Sequence, residues 1–310
     1  MVELSRRRAL VGVSTLAAWA AGCFPNPTVS SKPTGSSKPT MVDPAEPFPP
    51  LQAFIATLEH RRDAHVGLFA ADLGSGRTVE YQADDTFAMC STFKAYAAAG
   101  VLQRCDRGEL HLRDQLFVNP AGILPNSPVT EAQAGHTMAL GELCAAAVQR
   151  SDNCAANLLL TTLGGPSQIT AFARGIGDDK TWLDRWETLN SALPGDPRDT
   201  STPRSLGHGF VNLLAGSVLT QPSRRQLDDW MRGNVTSTMR AGLPNGWTSA
   251  DKTGSGDYGS TNDVGIAYDP DGRNLLLSIM TRCAANDPKA ENLQPLIGEL
   301  TAHVVSALRS

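Results

Sequence analysis

Apolar positions recur along this chain in two rhythms, and their order outlines a fold. Leu51, Phe54, Ile55 and Leu58 fall three and four apart, which places them on one face of an amphipathic first helix. Val66 to Leu73 is a β-rich apolar run, Gly74-Ser75-Gly76 reads as a turn, and Thr78 to Tyr81 as a second strand. A hairpin is the expected result. From Ser91 to about Trp230, segments rich in Ala and Leu carry the helical rhythm. The strand pattern then returns at Asp263 to Tyr268, breaks at the turn Asp269-Pro270-Asp271-Gly272, and resumes from Leu275 to Thr281. Leu293 to Leu308 predicts a closing helix. The order predicts an α/β fold of the α+β kind: an antiparallel sheet covered by the N- and C-terminal helices. An all-helical subdomain is inserted between the second and third strands. No internal repeat is present.

The N-terminal segment follows different rules. Ser5-Arg6-Arg7-Arg8 sets positive charge before an uncharged stretch from Ala9 to Ala21, too short to span a membrane but suited to an export signal. The adjacent arginines resemble a twin-arginine signal, with an ordinary secretory signal as the alternative. Ala20-Ala21-Gly22-Cys23 resembles a lipoprotein processing site, although Ala20 stands where a larger aliphatic residue is usual. Simple cleavage near Cys23 is the other reading. Phe24 to Pro50 is rich in Pro, Ser and Thr and offers little to bury, so a flexible tether is expected. The expected domains are 1–23, an export signal with a lipobox; 24–50, a linker; and 51–310, the folded unit.

Charge and cysteines narrow the chemistry. The net charge is −4 and no basic patch lies beyond the N-terminus, which argues against a nucleic-acid partner. Beyond Cys23 the cysteines are Cys90, Cys105, Cys144, Cys154 and Cys283, an odd number that leaves at least one thiol free. None has C-x-x-C spacing, and the histidines form no H-E-x-x-H pair, so neither a metal nor another cofactor is expected.

Three short motifs carry the candidate chemistry. Ser91-Thr92-Phe93-Lys94 opens a helix, and residues three apart share a helical face, so the Lys94 amine can reach the Ser91 hydroxyl. A serine needs such a neighbouring base to become a nucleophile. The helix start supplies unpaired N–H groups, which makes the Ser91 amide half of a natural oxyanion hole. Alone the motif is weak, since most such serines are helix caps, and Ser249-Ala250-Asp251-Lys252 repeats the spacing. Ser151-Asp152-Asn153 follows about sixty residues on, and Lys252-Thr253-Gly254 precedes Ser255-Gly256 in strand-like sequence. Taken singly these read as a loop with a helix cap and as a strand end.

Together, in this order, the three motifs are identified as those of class A serine β-lactamases and penicillin-binding proteins. Trp182-Leu183-Asp184-Arg185-Trp186-Glu187 and Pro194 to Thr200 resemble the class A omega loop, and the likeness runs from Leu51 to the C-terminus. The sequences around Ser91 and Gly254 are similar to actinobacterial members. The resemblance implies an exported monomer that hydrolyses the β-lactam ring of penicillins and cephalosporins through a serine acyl-enzyme, giving antibiotic resistance. It implies Ser91 as nucleophile, with Lys94 or Glu187 (through a water) as base, and Ser151 as proton donor to the ring nitrogen, helped by Lys252. Asn153 would bind the acylamide side chain. Lys252, Thr253 and Ser255 would bind the substrate's carboxylate within the Lys252-Thr253-Gly254 motif, and the amides of Ser91 and Ser255 would hold the oxyanion. Glu187 with Asn190 would activate the deacylating water, while Arg185 and Asp199 pin the loop.

This chain also departs from the family. Glu187 and Asn190 stand three apart where four is usual, which changes their mutual aim and bears on deacylation. Relatives place an auxiliary arginine near the carboxylate pocket; the matching positions are Thr238, Thr261 and Gln294, and the stretch 234–238 is about two residues short. Asn126 stands where many relatives carry an aromatic. Some carbapenem-hydrolysing relatives bridge the cysteine before the nucleophile to one after K-T-G; Cys90 is present, but Gly256 fills the partner position. Two rival functions share the motifs: a penicillin-binding or D,D-peptidase-like protein, and a β-lactam-binding lipoprotein with slow turnover. Gly254-x-Gly256-x-x-Gly259 fits a dinucleotide motif, but strand-like sequence follows where such a site needs a helix.

Overall fold

The computed structural model describes residues 51–189 and 191–310. The expected signal, lipobox and linker, and Asn190, lie outside the described residues. Helix α1 (Leu51–Arg62) leads into β1 (Ala64–Asp72), β2 (Thr78–Tyr81) and a short β3 (Phe87–Ala88). The helical block then holds α2 (Phe93–Asp106), β4 (Gln115–Phe117), the one-turn α3 (Pro128–Glu131), β5 (Thr137–Ala139), α4 (Leu140–Gln149), α5 (Asn153–Leu163) and α6 (Ser167–Gly175). A long loop reaches β6 (Thr200–Ser201), followed by α7 (Pro203–Leu214) and α8 (Gln221–Arg232). The chain returns through β7 (Thr248–Ser255), β8 (Thr261–Tyr268) and β9 (Asn274–Cys283) to α9 (Gln294–Arg309).

Five strands form one antiparallel sheet in the order β2-β1-β9-β8-β7. The last strand closes on the first, with Ala64 opposite Cys283 and Asp72 opposite Leu275, so the helical block is an excursion between β2 and β7. Side chains alternate across each strand. Val66, Leu68 and Ala70 of β1 and Leu275, Leu277 and Ile279 of β9 face one core, shared with Ile55 and Leu58 of α1 and with α9. Met280 of β9, Val264 of β8 and Ala250 of β7 face the other, built around α2, α4 and α5. This is the expected architecture. Its consequence for function is that β7, at the edge of the sheet, borders the helical block.

Candidate active site

The edge position of β7 exposes half of its backbone. Gly256 donates to Ser260 O at 3.0 Å where the β7–β8 hairpin closes, so even-numbered residues of β7 pair with β8. The N–H and C=O groups of Asp251, Thr253 and Ser255 therefore point to the free side. A 3₁₀ turn (Cys90–Thr92) leading into α2 packs on the sheet face that carries Gly254 and Asn262. Gly254 permits the approach: a Cβ there would meet Met89 O at 2.6 Å and the Ser91 nitrogen at 3.1 Å. Ser91 and Ser255 thus line one pocket, one from a helix start and one from a strand edge. Cys90, beside the nucleophile candidate, takes a left-handed backbone (φ 48°), and Ser151 does likewise (φ 55°). Strained residues of this kind concentrate at functional sites. Burial pushes the Cys90 thiol up to about 12, so it stays protonated.

Lys94 is fully buried in the first turn of α2. Its Nζ donates to Ser151 O at 2.7 Å and Asn153 Oδ1 at 2.6 Å and pairs with Glu187 Oε1 at 2.9 Å. Three close acceptors account for the three protons of an ammonium. Burial pulls its pKa below the usual lysine range, and the Glu187 carboxylate pushes back. The expected reach to Ser91 thus has a different form: the Ser91 hydroxyl donates to Glu187 Oε1 at 3.4 Å, and Lys94 grips the same carboxylate oxygen. The Ser151 hydroxyl lies between the amines of Lys94 (3.4 Å) and Lys252 (3.2 Å). Burial, then the charge of Lys94, lowers the pKa of Lys252 to about 7. Asn153 gives one amide N–H to Pro125 O at 2.9 Å, which leaves a second for the pocket.

Glu187 comes from the long loop, and its aim is built from outside the motifs. Asn157 accepts from the Glu187 backbone N–H at 2.9 Å and donates to its carbonyl at 3.2 Å. Leu189 N–H donates to Glu187 Oε2 at 2.7 Å, leaving Oε1 for Ser91 and Lys94. Asp199 accepts from the Arg185 guanidinium and from the amides of Asp184 and Arg185, closing the loop's base, and its carbonyl accepts from Met89 N–H at 2.9 Å. The loop is thereby tied to the turn that carries Ser91.

A cavity of about 310 Å³ opens beside these groups. Ser91, Ser151, Asn153, Thr253, Gly254 and Ser255 line it, as do Asn126, Thr236, Thr238, Thr261 and Gln294. No charged side chain is among the described residues lining it; Lys252 lies just behind, donating to Thr253 O at 2.8 Å. Asn126 donates to Ser151 O at 3.2 Å at the rim.

Sequence reasoning missed Asn157, Asp152 and Asn234 as builders of the site. The signal for Asn157 was its spacing, four after Asn153 and hence on the same helical face. Asp152 caps α5 through Ala155 N–H and also holds Val129 and Thr130 of α3. Ser249 of the repeated S-x-x-K lies in β7, where its hydroxyl donates to Asp251, and Gly254-x-Gly256-x-x-Gly259 leads into β8.

The β-lactamase enzyme family matches this chain across residues 50–307. A β-lactamase of Amycolatopsis lactamdurans is 42% identical over 84% of this chain and 86% of its own length. A carbapenem-hydrolyzing β-lactamase, KPC, from Klebsiella oxytoca is 44% identical over 79% of this chain and 83% of its own. The crystal structure of a β-lactamase from Desulfarculus baarsii, 40% identical, superposes with a TM-score of 0.81 over 84% of this chain and 97% of that one. With a serine, two buried lysines and a carboxylate gathered where the three motifs meet, the chain belongs to the class A serine β-lactamases.

Proposed function

We propose that the protein hydrolyses penicillins and cephalosporins through an acyl-enzyme on Ser91, with Glu187 as the base for both halves of the reaction. The observation that carries this is the Ser91 hydroxyl donating to Glu187 Oε1 while the protons of Lys94 are committed to three acceptors. In acylation, Ser91 Oγ bonds to the lactam carbonyl carbon as its proton passes to Glu187. The Ser91 and Ser255 amides take up the oxyanion charge, an effect typically worth about 3 kcal/mol per donor. The C–N bond then breaks, and Ser151 gives its proton to the ring nitrogen. Lys94 and Lys252 flank the Ser151 oxygen; Lys94 replaces that proton, and its amine then takes the Ser91 proton from Glu187, which restores the carboxylate. In deacylation a water attacks the ester carbonyl as Glu187 takes its proton, and Glu187 hands that proton to Ser91 Oγ as the ester C–O bond breaks.

Asn153 offers its free N–H to the acylamide group. Lys252, Thr253 and Ser255 receive the carboxylate, with Gly254 keeping the strand close, and Asn190 joins Glu187 in holding the deacylating water. The segment with Glu187 acts as an omega loop pinned by Arg185 and Asp199. Multiple-turnover hydrolysis of a chromogenic cephalosporin, with mass spectrometry of the protein, tests the reading. Steady turnover with a transient adduct on Ser91 is expected. One stoichiometric burst with a lasting adduct would favour the penicillin-binding alternative.

The enzyme acts as a monomer, exported by a twin-arginine signal and anchored by lipid at Cys23, with 24–50 as a tether. The order of charge, apolar stretch, Cys23 and a Pro-rich segment supports this. Detergent-phase recovery of wild type but not of Cys23→Ser is expected; aqueous recovery of both contradicts the anchor.

A further inference from the structure

The acid-binding end of the cavity has a fixed hydrogen-bond polarity, and it can be traced proton by proton. Asn234 is buried, and its Nδ2 donates to the Asp251 backbone carbonyl at 3.1 Å and to Asp251 Oδ2 at 2.6 Å. Both are acceptors, so the amide orientation is settled, and Asn234 Oδ1 must face Thr236. The Thr236 backbone N–H, which can only donate, confirms it by bonding Asn234 Oδ1 at 2.9 Å. Thr236 Oγ1 lies 2.7 Å from the same oxygen. Two oxygens at that separation need a proton between them, and only the Thr236 hydroxyl can supply it. A hydroxyl has one proton. The 2.5 Å contact between Thr236 Oγ1 and Thr253 Oγ1 therefore uses the proton of Thr253.

The neighbouring threonines are similarly turned away. Thr238 donates to Asp263 Oδ2 at 2.9 Å, and Thr261 to Gly259 O at 3.0 Å. Four threonines line this end of the cavity, and each directs its proton into the protein. At these four hydroxyls a ligand's anionic group meets lone pairs. Of the four protons, that of Thr253 alone is held by another hydroxyl rather than by a carbonyl, amide or carboxylate oxygen.

We propose that Thr236 is a specificity-determining residue, which weakens binding of the substrate's acid group by competing with it for the Thr253 proton. The inference rests on the assignment of this end of the cavity to the carboxylate. To bind an anion, Thr253 must turn its O–H from Thr236 into the cavity and leave the Thr236 lone pair without a partner. A side chain that cannot accept a hydrogen bond removes that competition.

The test is steady-state hydrolysis of benzylpenicillin by wild type, Thr236→Val, Thr236→Ala and Thr236→Ser, with circular dichroism to establish folding. Loss of one competing neutral hydrogen bond corresponds to about threefold to tenfold in affinity. Thr236→Val and Thr236→Ala should lower KM and raise kcat/KM by that factor, with a smaller change in kcat. Thr236→Ser, which restores the acceptor, should return KM toward wild type. Unchanged or raised KM in a folded Val or Ala variant overturns the proposal; if Val does not fold, Ala decides. Failure of wild type itself to be acylated by benzylpenicillin overturns instead the assignment of the site.

Discussion

The two ends of the cavity are built on opposite electrostatic plans. Around Ser91, charges are buried but compensated: Lys94 and Glu187 sit 2.9 Å apart with side chains 0% and 2% exposed, and every Lys94 proton has an acceptor. Around Thr253 the cavity is lined by neutral hydroxyls that point inward, with the Lys252 amine behind them and the Arg240 guanidinium tied to Asn234 O, Ser249 O and Asp251. The first arrangement holds its geometry before substrate arrives, which is what proton transfer requires. The second leaves substrate charge to be met by one amine whose own charge is weakened by burial and by Lys94. The nucleophile end is thus preorganised, and the acid end is adjustable.

The largest effect should come from breaking the first end. Ser91→Ala is expected to abolish the covalent adduct and to lower turnover by at least ~10⁴-fold, as removal of a nucleophile does elsewhere. Intact-protein mass spectrometry with a penicillin reads it, and an adduct on Ser91→Ala would assign the nucleophile elsewhere. Asn157→Ala removes both backbone contacts that hold Glu187. It should slow both acylation and deacylation roughly 10- to 100-fold, since a ~1 Å misplacement of the shared base costs that order. Single-turnover kinetics with both steps slowed in a protein of unchanged circular dichroism would show it; normal rates in both steps would mean that Glu187 keeps its aim without Asn157.

At the acid end the expected effects are smaller. Lys252 is protonated below its lowered pKa of about 7 and loses its charge as pH rises through that value. KM for an anionic penicillin should therefore rise above pH 7 with a one-proton dependence, measured as a KM profile from pH 5.5 to 9. A flat profile would mean that Lys252 keeps its charge. The smallest effect concerns Cys90, which is buried with its thiol pushed up to about 12. Native protein treated with iodoacetamide at pH 8 should carry no label on Cys90 by peptide mapping, and label there would show that the nucleophile turn opens.

Much of this was legible in the sequence, because the motifs combine chemistry with periodicity. Val66 to Leu73 and Leu275 to Thr281 announced themselves by composition, and β1 and β9 pair along their full length. Ser91, Ser151 and Lys252 were found by spacing, and the structure brings all three to one cavity, with Lys252 just behind its lining. The Arg185–Asp199 pair expected from the loop's likeness is present. What escaped was polar contact between distant segments. Asn157 bonds a residue thirty positions away, and Asn234 and Thr236 reach seventeen positions to Asp251 and Thr253. Asn and Thr are common in loops, so composition alone does not separate a proton relay from a turn. The same limit applied to Lys94: helical spacing put its amine beside Ser91, but its partner Glu187 arrives from a loop with no periodicity.

The central claim is that Glu187 takes the proton of Ser91 and later that of water. Pre-steady-state mixing of wild type and Glu187→Ala with a penicillin, followed by quenched mass spectrometry, tests it directly. The account predicts slowed acylation and a long-lived adduct on Ser91 in Glu187→Ala, against a transient one in wild type. An adduct that forms and clears in Glu187→Ala as fast as in wild type would contradict it and transfer the role of base to Lys94.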